Sequence, residues 1–186
     1  MESKILDRAG QLFRTEMPVA DSLDGYIAAI LPKIRPWSED LRETQFFLKR
    51  PWLEIRDDDS FHDIIIHIFE DEFHYYKSVN GNISGGRWRL VPGNKIMILS
   101  EDDDDSLDYA GELFDLAFLD GQFFILKKNG QSTYRFLVVE SVGFKLKDRW
   151  LDLIEMLFKK SQSNISFYIL IAIAIVLVLA ILLVLR

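Results

Sequence analysis

The sequence predicts a mainly β (α+β) fold: an antiparallel meander or small barrel of about seven to eight strands, with N-terminal helices, a C-terminal amphipathic helix and one transmembrane helix. Three observations carry this expectation. From Phe46 onward, apolar residues recur with a period of two in short runs rich in aromatic and β-branched side chains, the pattern of a strand with a buried face. Between those runs fall Asn80-Gly81, Asp120-Gly121 and Asn129-Gly130, each able to take the positive φ at both positions that a type I′ hairpin requires. Finally, Ile165 to Leu185 contains one polar residue, Ser166, in 21 positions. As a helix that run would measure roughly 32 Å, which matches a hydrocarbon core of about 30 Å.

In chain order, residues 1–43 form a helical segment. Ile5, Leu6, Ala9, Leu12 and Phe13 make a weak helical repeat that stops before Pro18, and Leu23, Tyr26, Ile27, Ile30 and Leu31 line one face of a second helix that Pro32 and Pro36 end. Residues 44–160 form the β-rich domain with its closing helix. Its strands are expected at Phe46 to Ile55, Phe61 to Phe69, Phe73 to Val79, Asn82 to Leu90, Lys95 to Ser100, Glu112 to Leu119, Gln122 to Lys128 and Ser132 to Glu140. Their short connections, Pro92-Gly93-Asn94 among them, join only antiparallel neighbours. Closing the meander into a barrel removes its two open edges, and Trp88, Phe114, Phe118, Phe124 and Phe136 are the candidates to fill the inside. Asp148 to Lys160 reads as an amphipathic helix capped by Asp148, with Trp150, Ile154, Leu157 and Phe158 on one face. It suits either packing on the barrel or lying in a lipid interface. Residues 161–164 are a polar hinge, and 165–185, with Ile165, Leu170, Ile175 and Leu185 along it, form the anchor.

Charge and composition narrow the function classes. Residues 1–164 carry 21 Lys and Arg against 29 Asp and Glu, so the domain is acidic, and the mean hydropathy of +0.06 averages an acidic domain with an apolar tail. A net charge of -7 without a basic stripe argues against nucleic acid as partner. The absence of cysteine excludes disulfides, thiolate metal sites and thiol nucleophiles. Lys159 and Lys160 precede the apolar run and only Arg186 follows it, a bias that places the N-terminal domain in the cytosol as in a tail-anchored, single-pass protein. Trp150, Phe158, Lys159 and Lys160 are then the juxtamembrane residues.

The segment Gly85 to Leu99, followed by Leu116 to Lys127, resembles the repeating hairpins of lipocalin-like (calycin) barrels, whose glycine, any residue, tryptophan motif is matched by Gly86-Arg87-Trp88. The resemblance implies a barrel with an apolar interior able to hold a small hydrophobic molecule, and it implies no catalytic residues. A pleckstrin-homology-like fold of seven strands and a closing helix fits the same pattern.

The search for chemistry gives few candidates. A hairpin tip at Glu70-Asp71 would set His67 opposite His74 with Glu70 and Glu72 near, the composition of a zinc site, but Glu-Asp is a poor two-residue turn and paired surface histidines are the plainer expectation. The acidic run Glu101 to Asp108 lacks the glycine and glutamate of an EF-hand loop, with Leu107 and Leu113 in their places. It and Asp57-Asp58-Asp59 read as solvated loops. Phosphate-cradling glycine loops and serine elbows are absent. The expectation is therefore a non-enzymatic protein-interaction or scaffolding module held at a membrane surface, with no catalytic residues, cofactor or metal. Its partners would be the bilayer and another membrane-associated or cytosolic protein. The alternative is a barrel that binds a lipid or other small apolar ligand.

Overall fold

The structure is a computed structural model and describes residues 16–183 other than 59, 61, 101–109, 147, 161, 163–174, 177, 178, 180 and 181. Eight antiparallel strands in sequence order close into a barrel: β1 Pro51–Ile55, β2 Ile65–Phe69, β3 His74–Val79, β4 Asn82–Val91, β5 Lys95–Ser100, β6 Ala110–Leu119, β7 Phe123–Lys128 and β8 Tyr134–Val139. Closure comes from β1 pairing with β8, Trp52 opposite Val139 and Ile55 opposite Phe136. All eight expected strands are present, one more than a seven-stranded barrel would use.

Two apolar cores form because the strands near closure are apolar on both faces. The first fills the lumen, since every strand contributes to it: Trp52, Phe69, Tyr75, Trp88, Ile96 and Ile98, Phe114 and Leu116, Phe124 and Leu126, and Leu137. The second lies outside, between β1, β6, β7, β8 and two helices. Helix α1, Leu23–Ile34, contributes Leu23, Ile27, Ile30 and Ile34, and helix α3, residues 150–160, contributes Leu153, Ile154, Leu157 and Phe158. Between barrel and α3 a short helix α2, Glu140–Leu146, sets Gly143 against Leu53 so closely that a Cβ there would stand 2.8 Å from Leu53 Cδ2.

Several local expectations need correction. Residues 46–50 are not strand: Thr44–Phe46 is a 3-10 turn, and the chain from Ser38 to Arg50 crosses one end of the barrel as a strap. Leu119 N–H donates to Ser38 Oγ, Leu41 N–H to Asn94 Oδ1 and Lys49 N–H to the Phe69 carbonyl. The strap thus ties three of the barrel's connections and inserts Leu41 and Phe47, 1% and 0% exposed, as a plug. Pro32 does not end α1, because Ile34 two residues on is fully buried and packing outweighs one lost backbone bond. Of the lumen candidates, Trp88, Phe114 and Phe124 point inward, whereas Phe118 and Phe136 lie in the outer core under the helices. The register shifts between Leu116 and Phe118; such a bulge reverses the facing of the residues beyond it, so Leu119 points in and Phe118 out. Asn80-Gly81 is the expected turn, with φ of 51° and 88°. Asp120-Gly121 is not: Gly121 and Gln122 form the tip, and Asp120 Oδ1 accepts from the N–H groups of Gln122 and Phe123. Asn129-Gly130 sits in a four-residue loop in which Gly130 alone has positive φ, 74°. Helix α3 begins at residue 150, two residues beyond Asp148.

No helix among the described residues is long and apolar enough to cross a membrane. The expected anchor falls mostly outside them, Ile165, Leu170 and Leu185 included, as does the repeat from Ile5 to Phe13. Within it, Ile175, Val176, Leu179, Leu182 and Leu183 are helical and more than half exposed.

Candidate functional site

The lumen is graded from one end to the other. Toward the strap it is aromatic: Phe47, Phe69, Trp88 and Phe124 meet with ring centroids 5.4–6.3 Å apart, distances that favour edge-to-face attraction. Trp88 Nε1 donates to the Glu70 carbonyl and Trp52 Nε1 to that of Phe47, so both indoles are satisfied inside the plug. Toward the opposite end, called the mouth, charged residues replace apolar ones in the same inward phase. Glu54 follows Trp52, His67 precedes Phe69, Lys77 follows Tyr75, Glu112 precedes Phe114, Lys128 follows Leu126 and Arg135 precedes Leu137.

Five of these six residues form one network, and Lys77 acts on His67 through its charge. His67, 1% exposed, lies between two partners, with Nε2 2.8 Å from Glu54 Oε2 and Nδ1 2.5 Å from Tyr75 Oη. The arrangement is satisfied when neutral His67 donates from Nε2 and the Tyr75 hydroxyl donates to Nδ1. Burial pushes His67 below its ordinary value, against the raising effect of the Glu54 hydrogen bond and charge. Burial likewise pushes the Tyr75 phenol above its ordinary range. For Glu54 burial alone would raise the pKa, but the hydrogen bond from His67 and the guanidinium groups of Arg135 and Arg56 outweigh it and hold the carboxyl below the usual range. Arg56 lies 2.6 Å from Glu54 Oε1 and Arg135 3.8 Å from Oε2.

Arg135 continues the network outward. It donates to Glu112 at 2.7 Å and stacks over Phe114 with its guanidinium 4.5 Å from the ring centroid. Glu112 also accepts from Lys128 at 2.9 Å. The hollow that these groups line with Asp57 and Asp58 measures roughly 290 Å3. Every buried side-chain N and O among the described residues has a partner. Tyr75, His67 and Glu54 stand in the order of a nucleophile, base and carboxylate relay. The Tyr75 hydroxyl is enclosed, its residue 1% exposed, and the chain of bonds links β1, β2 and β3 at the mouth.

The structure separates the zinc candidates. Phe69 pairs with Tyr75, so His67 faces Lys77, and a 3-10 turn over Asp71–Phe73 carries His74 to the plugged end, exposed, with Nδ1 on the Asp71 carbonyl. Among the described residues no cluster of three metal-ligating side chains occurs. Asp57 accepts from the Leu23 N–H at the start of α1 and Asp58 from Ser60 within its own turn, while Asp59 and the run 101–109 lie outside the described residues. Trp150 and Phe158 are built into the domain: Trp150 meets Tyr26 edge-on at 5.7 Å, and Phe158 is 3% exposed beneath Lys33. Of the two settings open to that helix, it takes the barrel. Lys159 pairs with Glu155, and Lys160 donates to Asp120 and Gln122.

Sequence reasoning missed the mouth network. Each charge reads singly as a polar residue near a strand end, and only the register reveals that six strands place theirs at one level. The detectable signal was an inward phase running from charged to aromatic in the same direction on successive strands.

Fold and site together define a closed eight-stranded meander barrel with one plugged and one polar end. No family model, curated protein or solved structure matches the chain. The Gly86-Arg87-Trp88 motif lies on β4, with Trp88 in the plug.

Proposed function

We propose that this protein is a tail-anchored, single-pass membrane protein whose cytosolic barrel is a non-enzymatic interaction module, using its outer surface and polar mouth to hold a partner protein at the membrane. The observation that carries this reading is the filled lumen. Trp52, Phe69, Tyr75, Phe114 and Phe124 are each at most 2% exposed, and the strap adds Phe47. The lipocalin-like alternative needs room for an apolar guest where these side chains stand. The anchor is supported by the apolar run 165–185 and by its five exposed helical residues, which the domain does not cover. Tethering raises a partner's effective concentration, so a modest interface at the mouth is enough.

The test places a photoreactive residue at Ser132, exposed at the mouth, or at Tyr76, exposed on the uncovered barrel wall, in full-length protein in its host membrane. A discrete protein adduct from one of these positions is expected. Adducts from neither would defeat the proposal.

A further inference from the structure

The barrel's two ends differ in charge. Among the described residues, the connections at the mouth, 56–58, 60, 62–64, 80–81, 129–133 and 148–149, hold four acids and two arginines. At the plugged end, residues 35–50, 70–73, 92–94 and 120–122 together with Lys33, Lys159 and Lys160 contain seven acids and seven bases. The bases there are not scattered. Helices α1 and α3 both run from mouth to plug: Leu23 binds Asp57 and Trp150 lies beside Asp58 and His62 at the mouth, while Lys160 is fastened to Asp120 and Gln122 in the β6–β7 turn. Their two C-terminal ends therefore bring Lys33, Arg35, Lys159 and Lys160 together, with Trp37 just beyond α1.

Resting on the anchored reading above, we infer that the plugged end is the barrel's membrane-facing surface. The collar of Lys33, Arg35, Lys159 and Lys160 with Trp37 lies against anionic phospholipid headgroups and turns the polar mouth away from the bilayer. Chain geometry supports it. The residues 161–164 reach at most about 14 Å when fully extended, whereas bringing the mouth to the bilayer would require the chain to run back along α3, about 16 Å at 1.5 Å per residue. Electrostatics act in the same direction, because an anionic surface attracts juxtamembrane bases. A tryptophan beside lysine and arginine suits the headgroup level.

The chain's lack of cysteine makes the test direct. Gln45→Cys on the strap and Gln131→Cys at the mouth, both exposed positions, each give full-length protein a single labelling site. The labelled protein is reconstituted into phosphatidylcholine and phosphatidylglycerol vesicles carrying a headgroup quencher, and flotation is measured on the same samples. Flotation with several-fold stronger quenching at 45 than at 131 is expected, and R35E/K159E should lower quenching at 45 without affecting flotation. Flotation with equal or reversed quenching overturns the orientation and leaves the anchor intact. Protein that does not float overturns both.

Discussion

At the scale of single residues, the mouth shows how a charge is kept inside a barrel. Glu54 is ionised with its side chain 9% exposed, which is tolerable because His67, Arg56 and Arg135 surround it. Removing one member of such a buried set strands the others. Glu54→Leu should cost about 3 kcal/mol in denaturant unfolding, and Glu54→Gln markedly less, since an amide oxygen still accepts from His67. Equal losses would mean that the hydrogen bond contributes little. His67 adds a pH dependence of definite sign. Its folded value lies below the ordinary 6.5, so as pH falls the unfolded chain takes up the proton first. The contribution is full above about 6.5 and declines from there toward the lowered folded value. Glu54, Arg135, Lys77 and Tyr75 are the charged or titratable groups around the imidazole. Unfolding midpoints should thus drop on acidification from pH 7 to 5 in the native chain, and the drop should flatten in His67→Gln. An unchanged slope would assign it elsewhere.

At the scale of elements, the sequence was most legible where local chemistry decides the outcome. The period-two runs yielded all eight strands, and Asn80-Gly81 the type I′ turn, because both patterns are satisfied within a hairpin. What could not be read depended on distant contacts. Phe46 to Arg50 has the apolar content of a strand, yet it is a strap because Phe47 is drawn into a lumen that exists only after closure. The bulge in β6 was invisible because Phe114, Leu116, Phe118 and Leu119 are apolar on either count, so nothing in the pattern marks where facing changes. The mouth was hidden for the same reason, its six strands being far apart in sequence. The turns supply a discriminating pair of substitutions. Gly81, at φ 88° with open space where a Cβ would stand, is constrained by backbone alone, whereas Gly121 has no positive φ and only Arg50 Nη1 at 3.7 Å. Gly81→Ala should cost about 1 kcal/mol and Gly121→Ala close to nothing, measured by the same unfolding assay. Equal costs would contradict the assignment of the two turns.

At the scale of the whole molecule, the two cores explain why one barrel can be solid within and still carry helices. β1, β6, β7 and β8 are apolar on both faces, so one side of each strand fills the lumen while the other seats α1 and α3. Those helices run toward the plugged end, which brings the chain to the β6–β7 turn just before its apolar run. A filled lumen and a graded polar mouth are what the proposed interaction module, making its contacts on its surface, requires. All of this depends on the lumen being a core and not a container. Native mass spectrometry of residues 1–160, which hold every strand of the barrel and both helices of the outer core, tests it after exposure to membrane lipids. A filled lumen leaves the mass of the bare polypeptide; a stoichiometric lipid adduct that survives transfer would contradict it.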